Sequence, residues 1–170
     1  MASIRTLRPL LRSAPRLTTL TPPTKRFLNW SSDAPLTTAQ ATVTGGRQGH
    51  ATSPHFDFDL GMPTNLGGDG KKTNPEELFA AGYGACFQGA MGATAPSLGL
   101  KNPESTIETD VHLIGDLKKL DLGIRVDMKI TGKDIKLEDL KKLVEKTKTV
   151  CPYSRATEGN VTTNIEVAVE

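Results

Sequence analysis

Two cysteines carry the most reactive chemistry in this chain of 170 residues. Cys86 lies in the phrase NPEELFAAGYGACFQGAM, and Cys151 opens the phrase CPYSRAT. Neither has another cysteine near it in sequence. A four-cysteine zinc site or a framework of several disulfides needs more cysteines than this. Three readings survive: a redox pair, a single nucleophilic thiol, or two inert core residues. The three histidines, His50, His55 and His112, show no ligand spacing with one another or with the cysteines, so no metal site is assigned.

The surroundings rank the two thiols. Cys86 falls mid-helix among apolar residues, where burial raises a thiol's pKa and makes it inert. To act as a nucleophile it needs a fixed positive charge nearby. Cys151 follows an amphipathic helix and precedes Pro152, which disfavours helical geometry at the residue before it. The negative end of a helix dipole disfavours a thiolate. If one cysteine attacks and the other resolves, these terms make Cys151 the resolver.

The elements that must position them follow from periodicity. The threonine-rich stretch 37–44 suits a first strand, and GGRQG at 45–49 a turn. HFDFDL at 55–60 alternates as a second strand does, and a Gly-, Pro- and Asn-rich loop follows at 61–73. The Cys86 helix begins at Asn74, a good N-cap, with Pro75 at the first helical position. Glu76 and Glu77 favour the positive end of its dipole, and Pro96 stops or kinks it. Between Glu77 and Pro96 no charge occurs, which predicts a buried helix at the centre of the fold. Its small residues Gly82, Ala85, Cys86, Gly89 and Ala93 form a stripe that a second helix can approach closely.

Residues 106–116 and 120–131 alternate with period two and form an antiparallel hairpin. Residues 137–150 form an amphipathic helix whose apolar side runs through Leu140, Val144, Thr147 and Cys151. Residues 161–169 close as a strand. The expected fold is α+β, with mainly antiparallel strands packed around the cysteine helix. The small-residue stripe predicts a homodimer.

The phrases TGGRQG, NPEELFAAGYGACFQGAM and CPYSRAT resemble, in order and near spacing, the three signature segments of the organic hydroperoxide resistance (Ohr) proteins of the OsmC/Ohr superfamily. The resemblance covers roughly residues 37–170. It implies a thiol peroxidase that reduces alkyl and fatty-acyl hydroperoxides to alcohols through a sulfenic acid and an intramolecular disulfide. It implies Cys86 as the peroxidatic cysteine, Cys151 as the resolving one, Arg47 as the catalytic arginine and Glu76 as its partner. It implies an intertwined homodimer with active sites at the subunit interface. No bound cofactor is implied. The reductant would be an external dithiol, typically a dihydrolipoyl group on a lipoylated protein. Arg155 departs from the pattern, standing where a smaller polar residue is expected, and the stretch from Arg47 to Cys86 is slightly short.

The residues agree with the parts. A permanently charged, planar guanidinium can hold a thiolate and a carboxylate together. Beside Cys86 it would lower the thiol's pKa despite burial, and it would stabilise the alkoxide expelled from the peroxide. Leu66, Phe79, Tyr83, Phe87 and Met91 are the candidates for an apolar substrate pocket. Glu76 precedes Cys86 by ten residues, about 15 Å along a helix, so a partner chain is expected to supply part of each site. Two alternatives stand beside this reading: an OsmC-like enzyme of other substrate range, and a non-catalytic module that binds apolar ligands.

The remainder of the chain bounds where it works. Residues 1–35 read as a mitochondrial targeting segment and linker, and 36–170 as the peroxidase domain. The first 32 residues hold Arg5, Arg8, Arg12, Arg16, Lys25 and Arg26 but no acid. Setting those six aside leaves 15 basic against 19 acidic residues, a net of −4, which argues against nucleic acid as a partner. No run of about 18 apolar residues occurs, so no membrane span is expected. The matrix also houses lipoylated dehydrogenase complexes, which fits the implied reductant.

Overall fold

A computed structural model describes residues 34–170. Residues Ala39–Glu170 form a compact unit. The targeting segment expected over residues 1–35 lies, but for its last two residues, outside the described part.

The compact unit opens with a small antiparallel sheet, β1 (Thr42–Thr44), β2 (His50–Ser53) and β3 (Phe56–Asp59), in that order. Between β1 and β2 lies a 3-10 turn, Gly46–Gln48, which carries Arg47. Gly45 and Gly46 have φ of 72° and 61°, backbone that only glycine adopts freely. A Cβ on Gly49 would collide with the Thr44 carbonyl oxygen. The glycines therefore set how the Arg47 turn closes on the strand. The strand expected over 37–44 shrinks to three residues because β1 pairs only with four-residue β2. β2 itself was not foreseen: HATS has no alternation to read.

Helix α1 (Pro75–Thr94) starts and stops as its caps predict. The Asn74 side chain accepts from the Glu77 backbone N–H at 2.9 Å and donates to the Glu77 carboxylate at 3.0 Å. One face of α1 buries Tyr83, Phe87, Ala90, Met91 and Thr94. The expectation of burial all round needs correction. Leu78, Ala81, Ala85, Gly89 and Ala93 are exposed in the single chain, leaving an uncharged helix face in solvent.

The second sheet holds the long hairpin β4 (Glu104–Asp116) and β5 (Asp121–Lys133), with β6 (Thr162–Val169) on the other edge of β5. β4 and β5 are antiparallel, whereas β6 runs parallel to β5. Helices α2 (Leu137–Lys148) and α3 (Pro152–Thr157) form the crossover between β5 and β6. The core gathers Tyr83, Phe87 and Met91 of α1, Val126, Met128 and Ile130 of β5, Leu140, Leu143 and Val144 of α2, and Cys151. The apolar side of α2 is thus buried as read, with Leu143 added. No helix among the described residues is long and apolar enough to cross a membrane.

Candidate active site

The fold brings the two cysteines together. The Cys86 and Cys151 sulfurs lie 3.4 Å apart, and both thiols are free. A disulfide needs about 2.05 Å, so the pair lies in near contact without being bonded. Cys86 is partly exposed, whereas Cys151 is 0% exposed. The reason lies in their elements. Cys86 sits on α1 beside its packed face, while Cys151 occupies the junction between α2 and α3.

That junction corrects one expectation. Cys151 does follow α2, and its N–H donates to the Thr147 carbonyl at 2.8 Å. It is also the N-cap residue of α3, and its own carbonyl accepts from the Arg155 N–H at 3.0 Å. Cys151 therefore stands between the negative end of one helix and the start of another, so the dipole of α2 alone does not describe it. The signal for α3 was present in the sequence: a proline one residue after a chain break in helicity is a common first helical position.

Burial pushes the Cys86 thiol above its ordinary pKa, the Tyr153 backbone N–H pulls it down, and the adjacent Cys151 pushes it up again. Among the described residues no cation acts on it. Arg47 is engaged elsewhere in the same chain, its two terminal nitrogens donating to the two Glu76 carboxylate oxygens at 2.8 and 2.6 Å. This is the fork-to-fork geometry that guanidinium and carboxylate favour. The guanidinium holds the Glu76 carboxyl below the usual carboxylate range, against the effect of burial, and Glu76 raises Arg47 in turn. The side chains are 39% exposed for Arg47 and 15% for Glu76, so the carboxylate is the better shielded partner. The structure thus joins Arg47 to Glu76 and Cys86 to Cys151, as two pairs rather than one cluster.

Of the expected pocket residues, Tyr83, Phe87 and Met91 are core side chains in the single chain, each 1% exposed or less. A helix with no charge beyond its first turn cannot reveal from its sequence which of its aromatic residues meets the core. Phe79 is half-buried, and Leu66 lies in a separate 3-10 turn, Thr64–Leu66, outside the core cluster. Tyr153 was missed. Its ring lies 6.0 Å from those of both Phe79 and Tyr83, and it is 41% exposed. It rests against Gly82, where an added Cβ would stand 3.4 Å from the ring. Its place two residues after Cys151 was the available signal. The Tyr83 hydroxyl donates to Ser154 Oγ at 3.0 Å, tying α3 to α1.

Arg155 lines a cleft of about 450 Å3 with Tyr83, Lys148, Ser154 and Thr157, and neither cysteine lines it. His50 bridges Asp57 and Asp59, and His112 contacts Asp127. Among the described residues no group of three or more His, Cys, Asp or Glu side chains could hold a metal ion.

Comparison with known proteins adds a family context. Residues 68–166 match the model for OsmC-like proteins. The organic hydroperoxide resistance protein of Xanthomonas axonopodis pv. citri is 45% identical over 142 residues, covering 81% of this chain and 99% of that protein. Organic hydroperoxide resistance protein OhrB of Bacillus subtilis is 41% identical over 134 residues, covering 78% and 98%. The OhrB crystal structure superposes with a TM-score of 0.70 over 78% of this chain and 99% of that one. The organic hydroperoxide resistance protein of Elizabethkingia anophelis, crystallised with thiocyanate, gives 0.73 at 37% identity, over 80% and 99%.

Proposed function

The chain belongs to the OsmC-like family, among its organic hydroperoxide resistance proteins, and on that footing we propose that it is a cysteine-based organic hydroperoxide reductase. The observation that carries this reading is the 3.4 Å separation of two free thiols from distant parts of the chain.

The proposed reaction runs through both thiols. The Cys86 thiolate attacks the distal oxygen of the hydroperoxide. The O–O bond breaks, and the alkoxide takes a proton and leaves as the alcohol. Cys86 is left as a sulfenic acid, which condenses with a thiol to give a disulfide. Cys151 attacks the Cys86 sulfur, the S–S bond forms, and the sulfenic oxygen departs as water. An external dithiol then returns both thiols and is itself oxidised to a disulfide. A dihydrolipoyl group on a protein partner is the proposed reductant.

Burial opposes the thiolate this reaction needs, so Cys86 requires a cation. Arg47 is the proposed one, with Glu76 orienting it. Within one chain Arg47 is held on Glu76, about 15 Å of helix from Cys86. A second copy of the chain supplies the pair. Two observations support a homodimer. The uncharged α1 face of Ala81, Ala85, Gly89 and Ala93 is left exposed. Beside it, Thr109 Oγ1 is buried without a partner in a groove lined by Ala80, Ala81, Gly84, Ala85, Gln88 and Ile107. The half-buried Phe79 and the exposed ring of Tyr153 present the apolar surface for an alkyl or fatty-acyl substrate, in front of the core residues Tyr83, Phe87 and Met91.

One equivalent of cumene hydroperoxide added to reduced protein is expected to consume both thiols of each chain, and Cys86→Ser to abolish the loss. If no thiol disappears, the chain is a binding module for apolar ligands. If hydrogen peroxide works as well as cumene hydroperoxide, the substrate range is another.

The basic, acid-free residues 1–32 support import into the mitochondrial matrix, with removal of the segment on arrival. Residues 1–35 fused to a fluorescent protein are expected to carry it into mitochondria; a reporter left in the cytosol would remove this part of the reading.

A further inference from the structure

The catalytic cycle must end with an external thiol attacking the Cys86–Cys151 disulfide, and the two sulfurs are not equally open to it. Exchange proceeds by attack of a thiolate on one of the two sulfurs, and access helps decide which. Cys151 is 0% exposed and belongs to the core cluster with Leu140, Leu143 and Val144. Its backbone is fixed on both sides, through the Thr147 carbonyl and the Arg155 N–H. Cys86 is partly exposed. Whatever route brings a hydroperoxide to Cys86 is vacant once the alcohol and water have left.

We propose that the reductant attacks the Cys86 sulfur, so that Cys86 receives both the oxidant and the reductant while Cys151 never bonds to an external molecule. The inference rests on the redox pair of the proposed reaction. In the first step the reductant thiolate bonds to Cys86, the Cys86–Cys151 bond breaks, and Cys151 leaves with the electron pair and takes up a proton released by the dithiol. In the second step the other reductant sulfur attacks its own mixed disulfide. The reductant closes into a cyclic disulfide, and Cys86 leaves as the thiolate ready for the next peroxide. Two electrons pass from the dithiol to the cysteines; of its two protons one goes to Cys151 and the other to solvent. Cys151 thus works as an internal lid on the oxidised sulfur rather than as a relay to the partner.

A monothiol tests this because it has no second sulfur with which to close into a cyclic disulfide, so the mixed disulfide lives long enough to be trapped by a timed acid quench. The full chain is oxidised, once with cumene hydroperoxide and once with diamide, then mixed with excess cysteamine. It is quenched in acid, denatured, alkylated with N-ethylmaleimide and mapped by mass spectrometry. The expected product carries cysteamine on Cys86 and maleimide on Cys151, in at least about tenfold excess over the reverse. Cysteamine on Cys151, or equal amounts on both, overturns the proposal. A second arm uses the single-cysteine proteins with an aromatic disulfide reagent. Folded Cys151→Ser is expected to react at Cys86 at least about tenfold faster than folded Cys86→Ser reacts at Cys151; equal rates overturn the proposal. A disulfide that forms with diamide but not with the hydroperoxide would sink the peroxidase reading, while the point of attack would still be read from the diamide sample.

Discussion

Arg47→Gln is expected to slow oxidation of Cys86 by cumene hydroperoxide by about 100-fold or more, the usual cost of removing one charge-stabilising donor from a reacting centre. Two losses combine. The thiol, already pushed above its ordinary pKa by burial, loses the cation that would bring it down. The alkoxide leaving the peroxide loses the same charge. A pH profile separates them: alkylation of Cys86 by iodoacetamide should shift to higher pH in the variant, whereas the effect on the alkoxide persists at a pH where both proteins are thiolates. Lysine at 47 should recover only part of the rate, because a point charge cannot fork across a carboxylate and a thiolate. An unchanged rate in Arg47→Gln would remove Arg47 from the mechanism.

The same substitution reveals which chain supplies the arginine. A heterodimer of Arg47→Gln with Cys86→Ser contains one chain with a thiol and no arginine, and one with the arginine and no thiol. If the partner supplies Arg47, one of the two sites is complete and the heterodimer is active. If each chain serves itself, both sites are dead. The acid limit of the reaction has a sign as well. Glu76 has a depressed pKa in the folded chain. The stability its ion pair contributes is therefore present above the ordinary glutamate value of about 4.3 and is lost as pH falls through the lower folded value. With Arg47 39% exposed, solvent screens the pair and the contribution is modest. Its larger consequence is positional: protonating Glu76 frees Arg47.

What the sequence revealed and what it hid differ by the kind of physics involved. The bounds of α1 were legible because Asn74, Pro75 and Pro96 act locally on the backbone. The hairpin of β4 and β5 was legible because its alternation runs for many residues. β2 was hidden, since four residues without alternation become a strand only through pairing. The parallel placement of β6 was hidden too, as it depends on where the α2–α3 crossover returns the chain. At the site, motif and charge singled out Cys86, Cys151, Arg47 and Glu76, but only the fold shows that the cysteines meet and that Arg47 stays on Glu76 within one chain. The aromatic residues were the least legible. In the stretch of α1 after Glu77, which holds no charge, nothing in the sequence tells a core-facing Phe87 from a half-open Phe79, and the relevance of Tyr153 depends on α3 folding back over Gly82.

Cys151→Ser is expected to leave the first oxidation nearly unchanged while reducing sustained reduction of cumene hydroperoxide by a lipoamide-linked system to about a single turnover per chain. The first step concerns Cys86 and its cation, neither of which the substitution removes. The second has no other candidate, since the chain contains no third thiol. The sulfenic acid should therefore persist, be trapped by dimedone in stoichiometric amount, and pass slowly to the irreversible sulfinic acid under excess peroxide. Misfolding is the competing explanation, because Cys151 is 0% exposed and a buried serine hydroxyl without a partner costs about 1–3 kcal/mol. Cys151→Ala separates the two. It brings no hydroxyl and leaves only a small cavity, yet it lacks the sulfur as completely as serine does. Both variants should hold the sulfenic acid equally long, whatever their difference in stability. If either one cycles at the parent's rate, the Cys86 sulfenic acid is reduced directly by the external thiol, and Cys151 is only the core residue that its burial would otherwise make it.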